Sequence, residues 1–248
     1  MPDRPQAIDA SQRTAARVAA LAYLIPVAFV VYANFGLREP LLVRSDMAES
    51  IRRVASAETL FRLSIAFDLV YCIGAVVLLA ALYVLFRPIS HYLVVLASAL
   101  KLVYAMTAVL MALSYLAVVR LVTDAQYQQL LAPEALQALV RANWFAANPQ
   151  YYVGLVFWSL SGTLFGWLWL KSRYIPKTLA VFGIVSAAWC VFCTFAYIIE
   201  PGFARVVNLW WFDSPFALFD ITLSLWLLFK GLRHPGVPVV ARPVVSAT

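Results

Sequence analysis

The chain has 248 residues, of which 64% are hydrophobic and 12% charged, with a mean hydropathy of +0.84; an ordinary soluble domain is about a quarter charged. A soluble fold of this length has no interior able to hide so much apolar side chain, so lipid must be the solvent for most of it. The formal net charge of +7 does not mark a nucleic-acid binder, because Lys and Arg are scattered at the ends of apolar runs rather than gathered on a polar domain.

In chain order, a polar segment over residues 1–14 leads into a first apolar span over 15–37. That span is too long for a signal-peptide core and ends in no small-residue cleavage site. Pro26 lies inside it, where a proline bends a helix. A polar connection follows from Arg38 to Phe61. Within it Asp46 and Glu49 have capping-box spacing, and Met47, Ile51 and Val54 repeat at helical spacing opposite Arg52 and Arg53. The pattern predicts a short helix, either on the membrane surface or solvated.

The second and third spans, 62–86 and 91–119, are joined by a few residues around Arg87 and Pro88 and must be antiparallel neighbours. A second long connection runs from Arg120 to Gln150. Pro133 and Glu134 start another interfacial helix there, with Leu136, Leu139, Val140, Trp144 and Phe145 on one face. The fourth span is predicted over 151–170, the fifth over 178–199 and the sixth over 215–232. Trp210 and Trp211 serve as interface anchors before the sixth, and a flexible tail follows over 233–248. The predicted fold is therefore all-α, a polytopic bundle of six transmembrane helices with two short interfacial helices.

Six spans put both termini on one side. With the amino terminus inside, the inner segments carry ten Lys and Arg and the outer segments eight, and the first outer connection also carries four acids. This predicts both termini in the cytoplasm.

Three ionisable side chains fall inside spans: Asp68 in the second, Lys101 in the third and Asp220 in the sixth. A charge at the centre of a span costs roughly 2.5–3.5 kcal/mol on insertion scales, so such residues face the bundle interior and pair. Their helical faces agree. Asp68 shares a face with Ser64, Tyr71 and Cys72, Lys101 with Ala97, Ser98 and Tyr104, and Asp220 with Ala217 and Ser224. At 1.5 Å per residue Asp68 and Asp220 lie about 9 Å and 8 Å below the outer ends of their spans, and Lys101 about 15 Å above the inner end of its own. The expectation is one cluster of Asp68, Lys101 and Asp220 in the outer half of the bundle, with Ser64, Tyr71 and Tyr104 around it and Arg62 as its rim. Such a cluster either fixes helix register or forms a working pocket.

Other patterns carry less. Cys190 and Cys193 have the spacing of a redox pair but lie mid-span, far from the helix amino terminus that would activate a thiol. Gly162 and Gly166 form a close-packing motif that fits helix packing within this chain. His91 and His234 lie at a span end and in the tail, so no metal or haem site is indicated, and no phosphate loop, zincin pattern or nucleophile elbow is present.

Several stretches resemble a known family. They are Ala16-Arg17-Val18-Ala19-Ala20-Leu21-Ala22-Tyr23-Leu24, Leu60-Phe61-Arg62-Leu63-Ser64-Ile65-Ala66-Phe67-Asp68-Leu69, Ala81-Leu82-Tyr83-Val84-Leu85-Phe86-Arg87-Pro88, Ser172-Arg173-Tyr174-Ile175-Pro176-Lys177 and Leu225-Trp226-Leu227-Leu228-Phe229-Lys230-Gly231. Together they resemble the bacterial six-span proteins grouped as domain of unknown function 4386. That family usually carries Arg where this chain has Lys101 and Glu where it has Asp220, so charge sign is kept while reach differs. The resemblance implies a multi-pass protein of the bacterial inner membrane and brings no activity with it. The functional expectation is a pocket for a small or amphiphilic ligand in a transporter-like or sensory protein, with membrane lipids as its surroundings, no cofactor, and no indicated oligomer. A membrane-embedded enzyme acting on a lipid or isoprenoid, and an accessory subunit whose charges serve only packing, stand as the alternatives.

Overall fold

The computed structural model describes residues 8–233. The amino-terminal stretch 1–7 and the tail 234–248, with His234, lie outside the described residues. Among the described residues there is no strand, and six helices are long and apolar enough to cross a membrane. By the length and composition of its helices the chain is a multi-pass membrane protein.

Helix α1 spans Ala10–Val31. It starts before the first apolar residues because Asp9 and Gln12 form a reciprocal capping box: the Gln12 amide donates to Asp9 Oδ1 at 2.7 Å and the Asp9 amide to Gln12 Oε1 at 3.2 Å. The helix does not end at Leu37 as the hydropathy predicts. It widens into a π-helical stretch over Tyr32–Arg38 and tightens into a 3-10 turn over Glu39–Leu41. Arg38, expected to open a polar loop, thus stays on the helix and turns back into the bundle. The short helix α2, Met47–Ser56, is where expected, capped by Asp46 Oδ1 on the Glu49 amide at 2.9 Å. Only half the expected capping box forms, since the Glu49 carboxylate is taken by Arg52 and Arg53. Met47 and Val54 are buried against the ends of the long helices rather than laid on a surface.

Helices α3, Glu58–Phe86, and α4, His91–Thr123, form the expected hairpin. Helix α5 is short, Ala125–Leu130. Pro133 then occupies the first position of α6, Pro133–Ser172, whose 40 residues run without a break through Pro149. The helix predicted at Pro133 exists, but it is continuous with the fourth span. The two short helices of the fold are α2 and α5. At 1.5 Å per residue α6 is about 60 Å long, twice a hydrocarbon core of about 30 Å. With the end of the bundle that bears α2 and α5 named its outer end, the outer half of α6, the outer ends of α3 and α4 and the face of α2 bury a core of their own around Phe61, Ile65, Val118, Val140 and Trp144.

Helix α7 spans Lys177–Ile199 and helix α8 Trp210–Phe229. The six long helices close a ring in which each packs on its neighbours in chain order and α8 returns to α1. Small residues set the approach distances. A Cβ on Gly162 would collide with the Phe216 ring of α8, and one on Gly166 would meet Ile184 of α7 at 2.8 Å. The glycine pair therefore packs helices within this chain, as its position in the sequence indicates. Inside the ring lies the second core, with Leu85, Phe86, Leu155, Leu168, Trp169 and Phe216 among its most buried members.

Candidate functional site

The three intramembrane charges occupy two separate places. Asp68 is paired with Arg38. The two guanidinium nitrogens donate to the two carboxylate oxygens at 2.6 and 2.9 Å, with both side chains almost wholly enclosed. Such a two-pronged pair is the strongest geometry an Arg and a carboxylate have. The guanidinium carbon also lies 4.4 Å from the centre of the Tyr115 ring, whose edge-on neighbour is Phe61. The π-helical turn delivers Arg38 to this spot, adding a residue to the turn where a regular helix would carry the side chain elsewhere.

Lys101 does not reach Asp68. The Cys72 thiol lies 3.7 Å from the carbonyl oxygen of Ala105, which sets the level of α3 against α4. One turn outward from Cys72, Asp68 stands level with Val109. Lys101 lies two turns further in, about 12 Å away along the axis. Between the two levels the rings of Tyr71 and Tyr104 meet edge to face at 6.2 Å, and Tyr104 tilts onto Trp158 at 6.0 Å. Arg62 is not a rim to this centre. Its guanidinium is engaged by Glu58 at 2.6 Å on the exposed surface. The Ser64 hydroxyl is spent on the carbonyl of Phe61, one turn back on its own helix. The expected three-charge cluster thus separates into an outer pair and an inner pair.

The inner pair is Lys101 and Asp220, which line one cavity of about 40 Å³ inside the ring. Tyr23, Leu78, Phe165, Phe216 and Ser224 share its wall, so α1, α3, α4, α6 and α8 all contribute. Asp220 is deeper than the sequence indicates, because α8 begins five residues before Pro215 and carries Asp220 at its midpoint. Lys101 and Asp220 are 6% and 9% exposed, yet among the described residues they form no ion pair. The Asp220 Oδ2 atom has no hydrogen-bond partner, and neither has the buried indole N–H of Trp158 beside Lys101. Ser224 does not satisfy the carboxylate, since its hydroxyl donates to the backbone carbonyl of Asp220. Buried polar atoms are rarely left unpartnered, and each case asks for a water, an ion or a role. A cavity of this size holds roughly three water molecules, taking about 10–15 Å³ per water on this measure. A water accepting from Lys101 and donating to Asp220 completes both.

Residues 18–231 match the family model described as Domain of unknown function (DUF4386). The chain belongs to that family. No curated protein and no solved structure matches it. Within this DUF4386 chain the match takes in both members of each charge pair, Arg38 with Asp68 and Lys101 with Asp220.

Sequence reasoning missed Arg38 and Tyr23. An Arg closing an apolar run also looks like an ordinary interface residue, so only the π-helical turn reveals where Arg38 goes. Tyr23 reads as one more aromatic in a span. Asp213, which accepts a short hydrogen bond from the Tyr151 hydroxyl near the outer end of α6, was hidden because it precedes the predicted sixth span. Cys190 and Cys193 are both buried within α7, with the Cys190 sulfur 3.9 Å from the Thr194 hydroxyl. Neither lines the cavity.

Proposed function

We propose that this protein holds a small polar ligand between Lys101 and Asp220 and works as a transporter-like or sensory membrane protein through that site. The smallest species that satisfies both side chains is water with the proton it carries. The observation that supports this reading is the unpartnered Asp220 Oδ2 on a cavity it shares with an unpaired Lys101. A cavity of about 40 Å³ lies far below the roughly 300–1,000 Å³ of pockets that enclose drug-sized ligands, which favours a water-scale occupant over an amphiphile. It also gives no room for the lipid headgroup that an embedded lipid or isoprenoid enzyme would have to place against its acid. The excess of basic residues on the inner segments supports a reading with both termini in the cytoplasm of a bacterial cell and the helices in its inner membrane, with lipid around them.

The test is infrared difference spectroscopy of the protein in lipid nanodiscs, titrated with pH in H2O and in D2O. A carboxyl signal that responds to both is expected in the wild type. It should vanish in Asp220→Asn, move in Lys101→Met, and stay put in the double variant Arg38→Leu with Asp68→Leu. If Asp220→Asn leaves the spectrum unchanged, the proposed site does not exchange protons with its surroundings and the reading fails.

A further inference from the structure

The cavity has an inner end as well as a charged middle. Its wall runs from Lys101 and Asp220 to Leu82, Trp169 and Leu227, which sit within the last turn or so of α3, α6 and α8. Three rings stand at that end. Phe86 meets Trp169 edge to face at 4.6 Å and lies nearly parallel to Tyr174 at 6.4 Å. All three are at most 3% exposed.

One side chain holds the outermost ring in place. Gln12 donates from Nε2 to the Tyr174 hydroxyl at 3.0 Å and reaches the carbonyl of Leu85 at 3.5 Å. The orientation of that amide follows from chemistry. Its oxygen must face the Asp9 amide, which only donates, and its nitrogen must face the Leu85 carbonyl, which only accepts. The capping box that starts α1 therefore also aims the latch. The loop bearing Tyr174 is tied from the other end of the chain too, since its carbonyl accepts the Arg233 amide at 2.8 Å. The residue before it, Arg173, has a φ of 56°, a left-handed conformation uncommon for a residue with a side chain. The first turn of α1, the turn between α6 and α7 and the end of α8 thus meet at one aromatic ring.

We propose that the Phe86, Trp169 and Tyr174 rings, latched by Gln12, are the gate through which the Lys101–Asp220 cavity exchanges its small polar occupant with the side of the membrane bearing the short turns. This rests on the reading of the cavity given above. With the latch made, the rings seal the inner end. Release of the Gln12 amide frees Tyr174 to swing on its loop and uncovers Trp169 and the cavity wall behind it.

The experiment is thiol accessibility of the whole chain in nanodiscs. Cys72, Cys190 and Cys193 are replaced by Ala, Ser224→Cys places a thiol on the cavity wall, and 2-aminoethyl methanethiosulfonate is the probe. Modification should be slow with the latch intact. It should speed up about five- to tenfold in Gln12→Ala and in Tyr174→Phe, which share the loss of the Gln12–Tyr174 hydrogen bond and leave the rings stacked. Tyr151→Phe, which removes the hydrogen bond to Asp213 at the opposite end, should leave the rate unchanged. Equal rates in all variants overturn the gate while leaving the infrared test of the cavity intact. A rise in all three, Tyr151→Phe included, reports general loosening and overturns it as well. Faster labelling in the two latch variants without an Asp220 infrared signal keeps the gate and sinks the proton-holding reading.

Discussion

The two charge pairs of this bundle solve the same problem in opposite ways. Arg38 and Asp68 close on each other with two hydrogen bonds inside a packed core of aromatic and aliphatic side chains, with both carboxylate oxygens engaged and the Arg38 Nε left unpartnered. Lys101 and Asp220 stand apart across a small void, with carboxylate and indole atoms left unpartnered. A buried carboxylate with both oxygens held by one guanidinium has nothing left to offer a ligand. A buried pair held apart is expensive in lipid unless something completes it. The difference is the reason the first pair is read as a lock between the first span and α3, and the second as the proposed place for a small polar species.

The largest effect should come from breaking the lock on one side. Asp68→Leu strands a buried guanidinium and should cost about 3–5 kcal/mol of stability, read as a large fall in the thermal unfolding midpoint in detergent. Arg38→Leu combined with Asp68→Leu should recover most of that loss. If the double variant is no better than the single, the pair is more than a lock.

Next in size is the packing that shapes the open site. Gly162→Ala pushes a methyl group into the Phe216 ring on the cavity wall. Overpacking of this kind costs about 1–3 kcal/mol, and it should perturb the Asp220 infrared signal while leaving Arg38 and Asp68 intact. A smaller effect of the other sign is expected at the open pair. Lys101→Met with Asp220→Leu removes two charges that do not satisfy each other, so stability should hold or rise by about 1 kcal/mol or more. A clear loss of stability would show that these two groups, like the outer pair, serve the fold.

The smallest effect concerns pH and the latch. The Gln12 amide and then the Ser11 hydroxyl, both donating to Asp9, hold its carboxyl below the ordinary aspartate range. A folded-state value below the unfolded one gives stability that is present above the unfolded value and is lost as pH falls through the folded one. The thermal unfolding midpoint in detergent should therefore fall modestly once the pH drops below the usual carboxylate range. Asp9→Asn, which keeps a good cap without a titrating group, should flatten that dependence.

Most of the architecture was legible beforehand because hydropathy, span length and the Arg87-Pro88 turn are local signals. Boundaries failed where a helix ran past its apolar stretch. Leu37 looked like an end because Arg38 is charged, and Pro215 looked like a start because prolines open helices. Both errors moved charges. The first hid the partner of Asp68, and the second raised Asp220 by five residues toward the outer side, so that three charges seemed to share a layer. The continuous α6 was missed for a similar reason, since the polar stretch up to Gln150 reads as a connection, while the helix runs on through it packed against α4.

Composition and periodicity alone determine that this chain is a six-span membrane protein and that Asp68, Lys101 and Asp220 must face inward, because lipid penalises every other placement. Which charge meets which was decided only by the tertiary structure. Pairing depends on the depth and rotation of each helix, and these follow from a π-helical turn, from a helix start five residues earlier, and from small residues that let particular rings approach. A shift of one turn moves a side chain by about 5 Å, enough to turn a closed ion pair into an open cavity.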